Sequence, residues 1–159
     1  MRELTSEIEI DASPETVWQI LTDFDSYSEW NPVEIEMKGR PVEGTILEHA
    51  SKLPGSSPMT FRPTIVEVRP NEVLQWDGRL FLPRLFDVRH RFALQSIGDA
   101  RTRLRQSEQF RGVLIPFVGG TLRKTQEAFG IANNAIKARA EGMHAPELRG
   151  NSPMSGLAQ

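Results

Sequence analysis

The stretch Gly119–Met143, GGTLRKTQEAFGIANNAIKARAEGM, limits the possible folds most, because it holds the chain's one long helical pattern. At 3.6 residues per turn, Val118, Leu122, Phe129, Ala132, Ile136 and Ala140 fall on one stripe. Arg123, Lys124, Glu127, Lys137, Arg139 and Glu141 take the other side. Arg123–Glu127 and Lys137–Glu141 have the i,i+4 spacing of weak surface pairs. Gly130 sits mid-helix, where Gly costs about 1 kcal/mol against Ala. Thr125 and Asn133 intrude on the edges of the stripe. Two readings follow: a core helix that tolerates two polar residues, or a helix facing a cavity in which Asn133 and Thr125 touch a ligand.

The rest of the chain reads mainly as strands. Leu4, Ser6, Ile8 and Ile10 alternate with Glu3, Thr5, Glu7 and Glu9, as in a half-buried strand with an acidic outer face. Ser13-Pro14-Glu15 then opens a short helix, with Ser13 as N-cap and Pro14 at the first helical position. A second short helical piece around Asp23–Ser28 stops at Trp30-Asn31-Pro32, since the residue before Pro avoids the α region. Six more strands are predicted: Val33–Met37, Thr45–Ser51, Met59–Arg69, Glu72–Arg79, Val88–Ile97 and Arg101–Phe110. Pro63 inside the third of these predicts an edge or a bulge. The order is strand, two short helices, six strands, long helix. A curved antiparallel sheet of seven strands gripping one helix is an α+β layer architecture. One domain is expected over residues 1–144, with residues 145–159, rich in Pro, Gly and Ser, as a disordered tail.

Composition removes several function classes. With no Cys among 159 residues there is no disulfide, thiolate metal site or cysteine nucleophile. The three His residues lack HExxH-type spacing, so no metal is expected. The Gly-rich phosphate loop and the GxSxG elbow are both missing, and no cofactor is called for. A net charge of −2 is too balanced to argue for nucleic acid. The N-terminus lacks a continuous apolar segment of signal-peptide type, and no run approaches the ~18 apolar residues of a membrane span. A cytoplasmic monomer or homodimer without stable membrane insertion is expected.

The hairpin Val88–Phe110 carries the best local argument for chemistry. If Gly98–Ala100 is a three-residue loop, Ile97 pairs with Arg101, Leu94 faces Leu104, Phe92 faces Gln106, and His90 faces Glu108. Slipping by one residue would oppose apolar to charged side chains. His90 and Glu108 would then be neighbours about 5 Å apart at Cβ. A carboxylate favours the protonated imidazole, and such a pair can exchange protons with a carbonyl or enol. It can equally be a satisfied buried pair that only orients the sheet. Arg89, Arg91, Arg101, Arg103 and Arg105 share the outward parity, forming either a basic patch or a solvated face neutralised by acidic neighbours. The connections Leu80–Phe86 and Gly112–Phe117 are too apolar for plain solvated loops, which suggests either a ligand mouth or burial against the core.

Several segments, taken in order, resemble the START-like helix-grip superfamily (SRPBCC, Bet v 1-like), in particular its polyketide cyclase/dehydrase and lipid-transport branch. They are Ile10–Trp18, Asp23–Tyr27, Trp30-Asn31-Pro32, Val68-Arg69-Pro70 with Leu74-Gln75-Trp76, His90-Arg91-Phe92, Thr102-Arg103-Leu104 and Glu108–Gly112. The resemblance implies a seven-stranded antiparallel sheet around the C-terminal helix, with an apolar cavity between them. Members include binding proteins, lipid carriers, cyclases and chaperone co-factors, so the fold leaves the reaction open. The expected partner is a hydrophobic small molecule of lipid, polyketide or terpenoid type. Its expected contacts are Trp76, Phe81, Phe86, Phe92, Gln106, Phe110, Leu122, Phe129, Asn133 and Ile136. A cyclase or dehydratase would use His90 as acid/base with Glu108 tuning it. A protein-interaction module using the apolar loops or the arginine face is the third reading.

Overall fold

The computed structural model describes residues 1–80 and 85–144. The expected tail, residues 145–159, and Phe81 lie outside the described residues. The first strand, β1 (Arg2–Ile10), has the predicted alternation, with Leu4, Ser6, Ile8 and Ile10 inward. Ser13 caps α1 (Pro14–Thr22), its hydroxyl accepting the Thr16 N–H at 3.3 Å. A 3₁₀ turn, Phe24–Ser26, leads into α2 (Tyr27–Trp30). Next come β2 (Glu34–Lys38), β3 (Glu48–Ser51), β4 (Met59–Phe61), β5 (Thr64–Arg69) and β6 (Val73–Leu80). The chain closes with β7 (Phe86–Gly98), β8 (Arg101–Arg111), a 3₁₀ turn at Ile115–Phe117, and α3 (Gly119–His144).

The fold is α+β, a curved antiparallel sheet with a long C-terminal helix, and it has eight described strands rather than seven. The predicted strand Met59–Arg69 breaks at Pro63, which has no N–H to give a ladder, and its halves join different sheets. Five strands run in the order β1-β8-β7-β6-β5, and three in the order β2-β3-β4. Thr45–Leu47, expected in β3, instead stitch the two sheets together. The Leu47 N–H donates to the Pro63 carbonyl at 2.8 Å, and the Ile65 N–H donates to the Thr45 carbonyl at 2.9 Å. The hairpin register holds from Ser96–Thr102 through His90–Glu108. At the tip Gly98 pairs with Arg101, so Ile97 is the extra residue of a bulge and does not face Arg101. Ala100 has φ 51°, completing the tight turn.

Side chains tie α3 to β1: Gln126 donates to the Thr5 carbonyl, Asn133 to the Ser6 hydroxyl at 3.1 Å, and Lys137 to the Glu9 carbonyl at 2.6 Å. Of the two i,i+4 pairs, Lys137–Glu141 closes at 2.7 Å. The apolar interior falls into three clusters. The largest joins Ile10, Leu21, Phe24, Leu74, Trp76, Phe92, Leu104 and Ile136. A second joins Phe86, Phe110, Ile115 and Leu122, and a third Val33, Ala128 and Ala132 with half-buried Leu53. A filled core of this size normally forms one contiguous cluster. Something separates these three.

Of the five outer arginines, Arg89, Arg91, Arg101 and Arg103 are paired with carboxylates rather than forming a basic patch. Arg89 binds Asp77 through two 2.7 Å bonds and Arg91 binds Glu67 at 2.7 Å. Arg101 reaches Glu9 and Asp11, and Arg103 reaches Glu7 and Glu9. The acidic outer face of β1 lies directly beside β8, so the two charge rows neutralise each other.

Candidate functional site

A cavity of about 420 Å³ lies between the sheet and the first half of α3. That falls within the roughly 300–1,000 Å³ typical of small-molecule sites. Trp76 from the first cluster, Phe86 and Phe110 from the second, and Val33, Leu53, Ala128 and Ala132 from the third all line it. The cavity therefore borders all three clusters. At its edge the loop 53–57 contributes Leu53, Ser56 and Ser57. Lys124 on α3 holds that loop, donating to the Ser56 hydroxyl at 2.8 Å and the Gly55 carbonyl at 3.4 Å.

Two imidazole–carboxylate pairs stand in the cavity wall. The first is His90 on β7 with Glu108 directly opposite on β8. His90 Nδ1 lies 3.6 Å from the Glu108 carboxylate, too long for a good hydrogen bond. On the other side of the ring, Gln106 Nε2 lies 3.2 Å from His90 Nε2. With the amide nitrogen placed there, Gln106 donates and His90 Nε2 accepts. That arrangement leaves Gln106 Oε1 buried without a hydrogen-bond partner, though Gln106 is only 1% exposed. Trp76, opposite His90 on β6, stacks on the imidazole with centroids 4.8 Å apart and planes 7° from parallel. Phe129 of α3 meets the same ring edge-on at 5.6 Å.

The second pair is Glu34 on β2 with His49 on β3, joined through the Glu34 carboxylate and His49 Nε2. Their side chains are 12% and 9% exposed. Asn31 sets up this corner by accepting the N–H groups of Val33 and Glu34 at 3.0 and 2.9 Å. Burial alone would raise the Glu34 carboxyl, but the charge and hydrogen bond of His49, helped by His90, carry it below its ordinary value. Burial alone would likewise lower His49, but Glu34, helped by Glu108, lifts it above the ordinary imidazole value. Both shifts favour the imidazolium–carboxylate form of the pair. His49 also meets Trp76 at 6.1 Å, so one indole touches both imidazoles.

The expected site residues divide into two groups. Trp76, Phe86, His90, Gln106, Glu108, Phe110 and Phe129 line the cavity. Phe92, Leu122, Asn133 and Ile136 lie outside its lining. Packing claims them instead: Phe92 and Ile136 belong to the large cluster, Leu122 packs with Phe86 and Phe110, and Asn133 is turned to Ser6 on β1. Of the intruding pair, Thr125 faces the cavity. In the second apolar connection Ile115 is buried, while Phe117 stands 82% exposed.

Glu34 is the site residue that pattern reading missed. Plain alternation puts it on the outer side with Glu36, but the β2–β3 register shifts between Glu34 and Glu36 and turns Glu34 inward. His49 carried a readable signal, because it shares the parity of the fully buried Leu47.

The model of the family described as polyketide cyclase/dehydrase and lipid transport matches residues 1–141. The chain belongs to this family. No curated protein matches the chain by sequence. Among solved structures, the Zhui aromatase/cyclase from Streptomyces sp. R1128 superposes with a TM-score of 0.77 at 13% identity, covering 92% of this chain and 98% of that one. A START superfamily protein from Mycobacterium smegmatis gives 0.68 at 22% identity, covering 89% and 98%. A norcoclaurine synthase from Thalictrum flavum gives 0.65 at 14% identity, covering 91% and 96%. These structures show that this member of the polyketide cyclase/dehydrase and lipid-transport family has the helix-grip fold. Among the described residues no helix is long and apolar enough to cross a membrane.

Proposed function

We propose that the protein binds a hydrophobic small molecule of lipid, polyketide or terpenoid type in the cavity between sheet and α3. The observation that carries this is the gap itself: about 420 Å³ bounded by three apolar clusters that fail to merge. Burial against those walls supplies affinity at about 25 cal/mol per Å² of apolar surface. The few polar groups fix orientation. The family description, which names both cyclisation and lipid transport, supports this class of ligand. The proposal places the whole activity in residues 1–144 of a cytoplasmic monomer or homodimer, without nucleic acid, metal or cofactor. Native mass spectrometry of the untreated protein tests it. The expected spectrum contains a species heavier by one small apolar molecule. A protein that is purified empty and takes up no fatty acid, aromatic ketone or terpenoid refutes the proposal.

A second reading is favoured by the setting of His90. Its Nε2 lone pair faces Gln106 at the cavity wall and its Nδ1 faces Glu108, the arrangement of an acid/base held by a carboxylate. In a dehydration the Gln106 amide would turn aside and the freed His90 Nε2 would take a proton from the carbon beside a ligand ketone. It would return that proton to a hydroxyl that leaves as water, giving the enone. Under this reading His90→Ala and Glu108→Ala abolish turnover while retaining ligand binding. Turnover that survives both substitutions removes it.

A further inference from the structure

Between β8 and α3 the chain shows solvent two large apolar side chains, Val113 at 68% and Phe117 at 82% exposure. Both sit on one short connection. Gly112, at φ 133°, turns the chain out of β8. Ile115 is buried with Phe86, Phe110 and Leu122, which pins the connection to the second apolar cluster. The Phe117 N–H donates to the Leu114 carbonyl at 2.9 Å and closes the 3₁₀ turn. Val113, Pro116 and Phe117 are left facing water. Exposed apolar residues scattered singly are ordinary, but these share a pinned turn.

The charges around this turn favour one sign. From Arg111 to Gln126 the sequence has three cations, Arg111, Arg123 and Lys124, and no carboxylate, in a chain whose net charge is −2. Arg2 joins them, because it stands opposite Phe110, and Leu4 on the same face of β1 packs on the cluster beneath the turn. Arg2 and Arg123 are exposed and form no ion pair among the described residues. Of the carboxylates on the adjoining strand ends, Asp87 is engaged by Arg79 at 3.2 Å, which leaves Glu3 against these arginines.

We propose that this turn docks on an anionic lipid bilayer, with Phe117 and Val113 entering the headgroup layer and Arg2, Arg111 and Arg123 meeting lipid phosphates. Apolar side chains ringed by cations hold an interface through buried area and attraction to anionic lipid together. A second copy of this chain fits the patch less well, because it would bring like-charged arginines face to face. Contact of this kind is shallow and needs no membrane-spanning helix. Gly120, Thr121 and Lys124 at the start of α3 line the cavity, so docking would bring that side of the cavity near the bilayer. It does not depend on what the cavity holds.

Co-sedimentation of the intact chain with vesicles tests this. At about fivefold per cation, vesicles of three parts phosphatidylcholine to one part phosphatidylglycerol should bind it roughly a hundredfold more tightly than phosphatidylcholine alone. High salt should cancel the difference. Phe117→Ser should weaken binding about tenfold, and Arg2→Gln/Arg123→Gln about 25-fold on the anionic vesicles alone. All three side chains are exposed, so the melting temperature should not change. Equal binding to both vesicle types, no binding to either, or binding unchanged in Phe117→Ser overturns the proposal. A dimer in gel filtration that Phe117→Ser turns into a monomer would also overturn it, by giving the patch to a second copy. None of these outcomes touches the cavity reading.

Discussion

Separating Glu34 from His49 should produce two variants whose order of stability depends on pH. Both side chains are about nine-tenths buried, so a partner left alone cannot rely on water to keep its charge. It must neutralise. In His49→Gln the stranded group is Glu34, whose ordinary value is 4.5. Protonating it at pH 7 costs two and a half units at about 1.36 kcal/mol each, about 3.4 kcal/mol, and at pH 5 only about 0.7 kcal/mol. In Glu34→Gln the stranded group is His49, whose ordinary value is 6.5. Leaving it neutral costs almost nothing at pH 7 and about 2 kcal/mol at pH 5. His49→Gln should therefore be the weaker protein at pH 7 and Glu34→Gln the weaker at pH 5. The difference between them swings by about 4.7 kcal/mol, whatever fixed packing difference separates the two. With a urea slope of about 2 kcal/mol per M, the midpoints should move by about 2 M relative to each other. The wild type should differ from both variants. Glu34 is depressed, so its contribution is complete above 4.5 and fades as pH falls through the lowered value. His49 is raised, so its contribution is complete below 6.5 and fades as pH rises through the raised value. The pair therefore stabilises most between those two values. Urea melts of both variants at pH 5 and pH 7 decide it, and a relative swing below about 1 kcal/mol would refute the view of the pair as a buried ion pair.

Three further outcomes follow from other parts of the fold. A Cβ added at Gly130 meets nothing within 4 Å, so Gly130→Ala should stabilise α3 by about 1 kcal/mol in urea melts; a loss would mean the helix depends on glycine there. The buried Tyr27 hydroxyl donates to the Leu21 carbonyl at 2.7 Å, so Tyr27→Phe should lower stability by about 1–2 kcal/mol, and an unchanged melting temperature would count against that bond. Ala132 lines the cavity, so Ala132→Leu should cut the uptake of an apolar ligand seen by native mass spectrometry at least tenfold without lowering the melting temperature; unchanged uptake would place the ligand elsewhere.

Much of the architecture was legible because it rests on parity and register. The alternation of β1, the cap at Ser13, the α3 stripe and the opposition of His90 to Glu108 follow from period and turn length alone. What local pattern could not show were departures from register. The split of Met59–Arg69 needed Pro63 to divide two sheets rather than dent one. The inward turn of Glu34 needed a shift in β2 that no run of letters announces. Asn133 shows the other limit. Its place on the stripe suggested a cavity contact, yet the identity of its partner, Ser6, depends on β1 lying under that turn of α3.

The same departures explain why there is a cavity at all. Had Met59–Arg69 run straight, β4 and β5 would lie in one sheet and β6 would have a continuous neighbour. Breaking at Pro63 sends Met59–Phe61 to the edge of the small sheet, where Met59, Phe61 and Pro63 become cavity wall. On the facing side α3 changes character along its length. Its later turns bring Ile136 and Ala140 into the large cluster beside α1 and β1, while its earlier turns present Gly120, Thr121, Thr125, Ala128 and Ala132 to the gap. Apart from Lys124 and Phe129, which also line the gap, the α3 side chains there are small, and a well-packed interior would need larger ones. Small residues on the helix and a broken strand across from it are independent features of the sequence. Each leaves space on the same side of Trp76, and the polar pairs that edge this space are its only ionisable walls other than Arg79 and Lys124 among the described residues. An interior that keeps room there and edges it with two imidazole–carboxylate pairs leaves space its own side chains do not fill, and the proposed ligand site rests on that space.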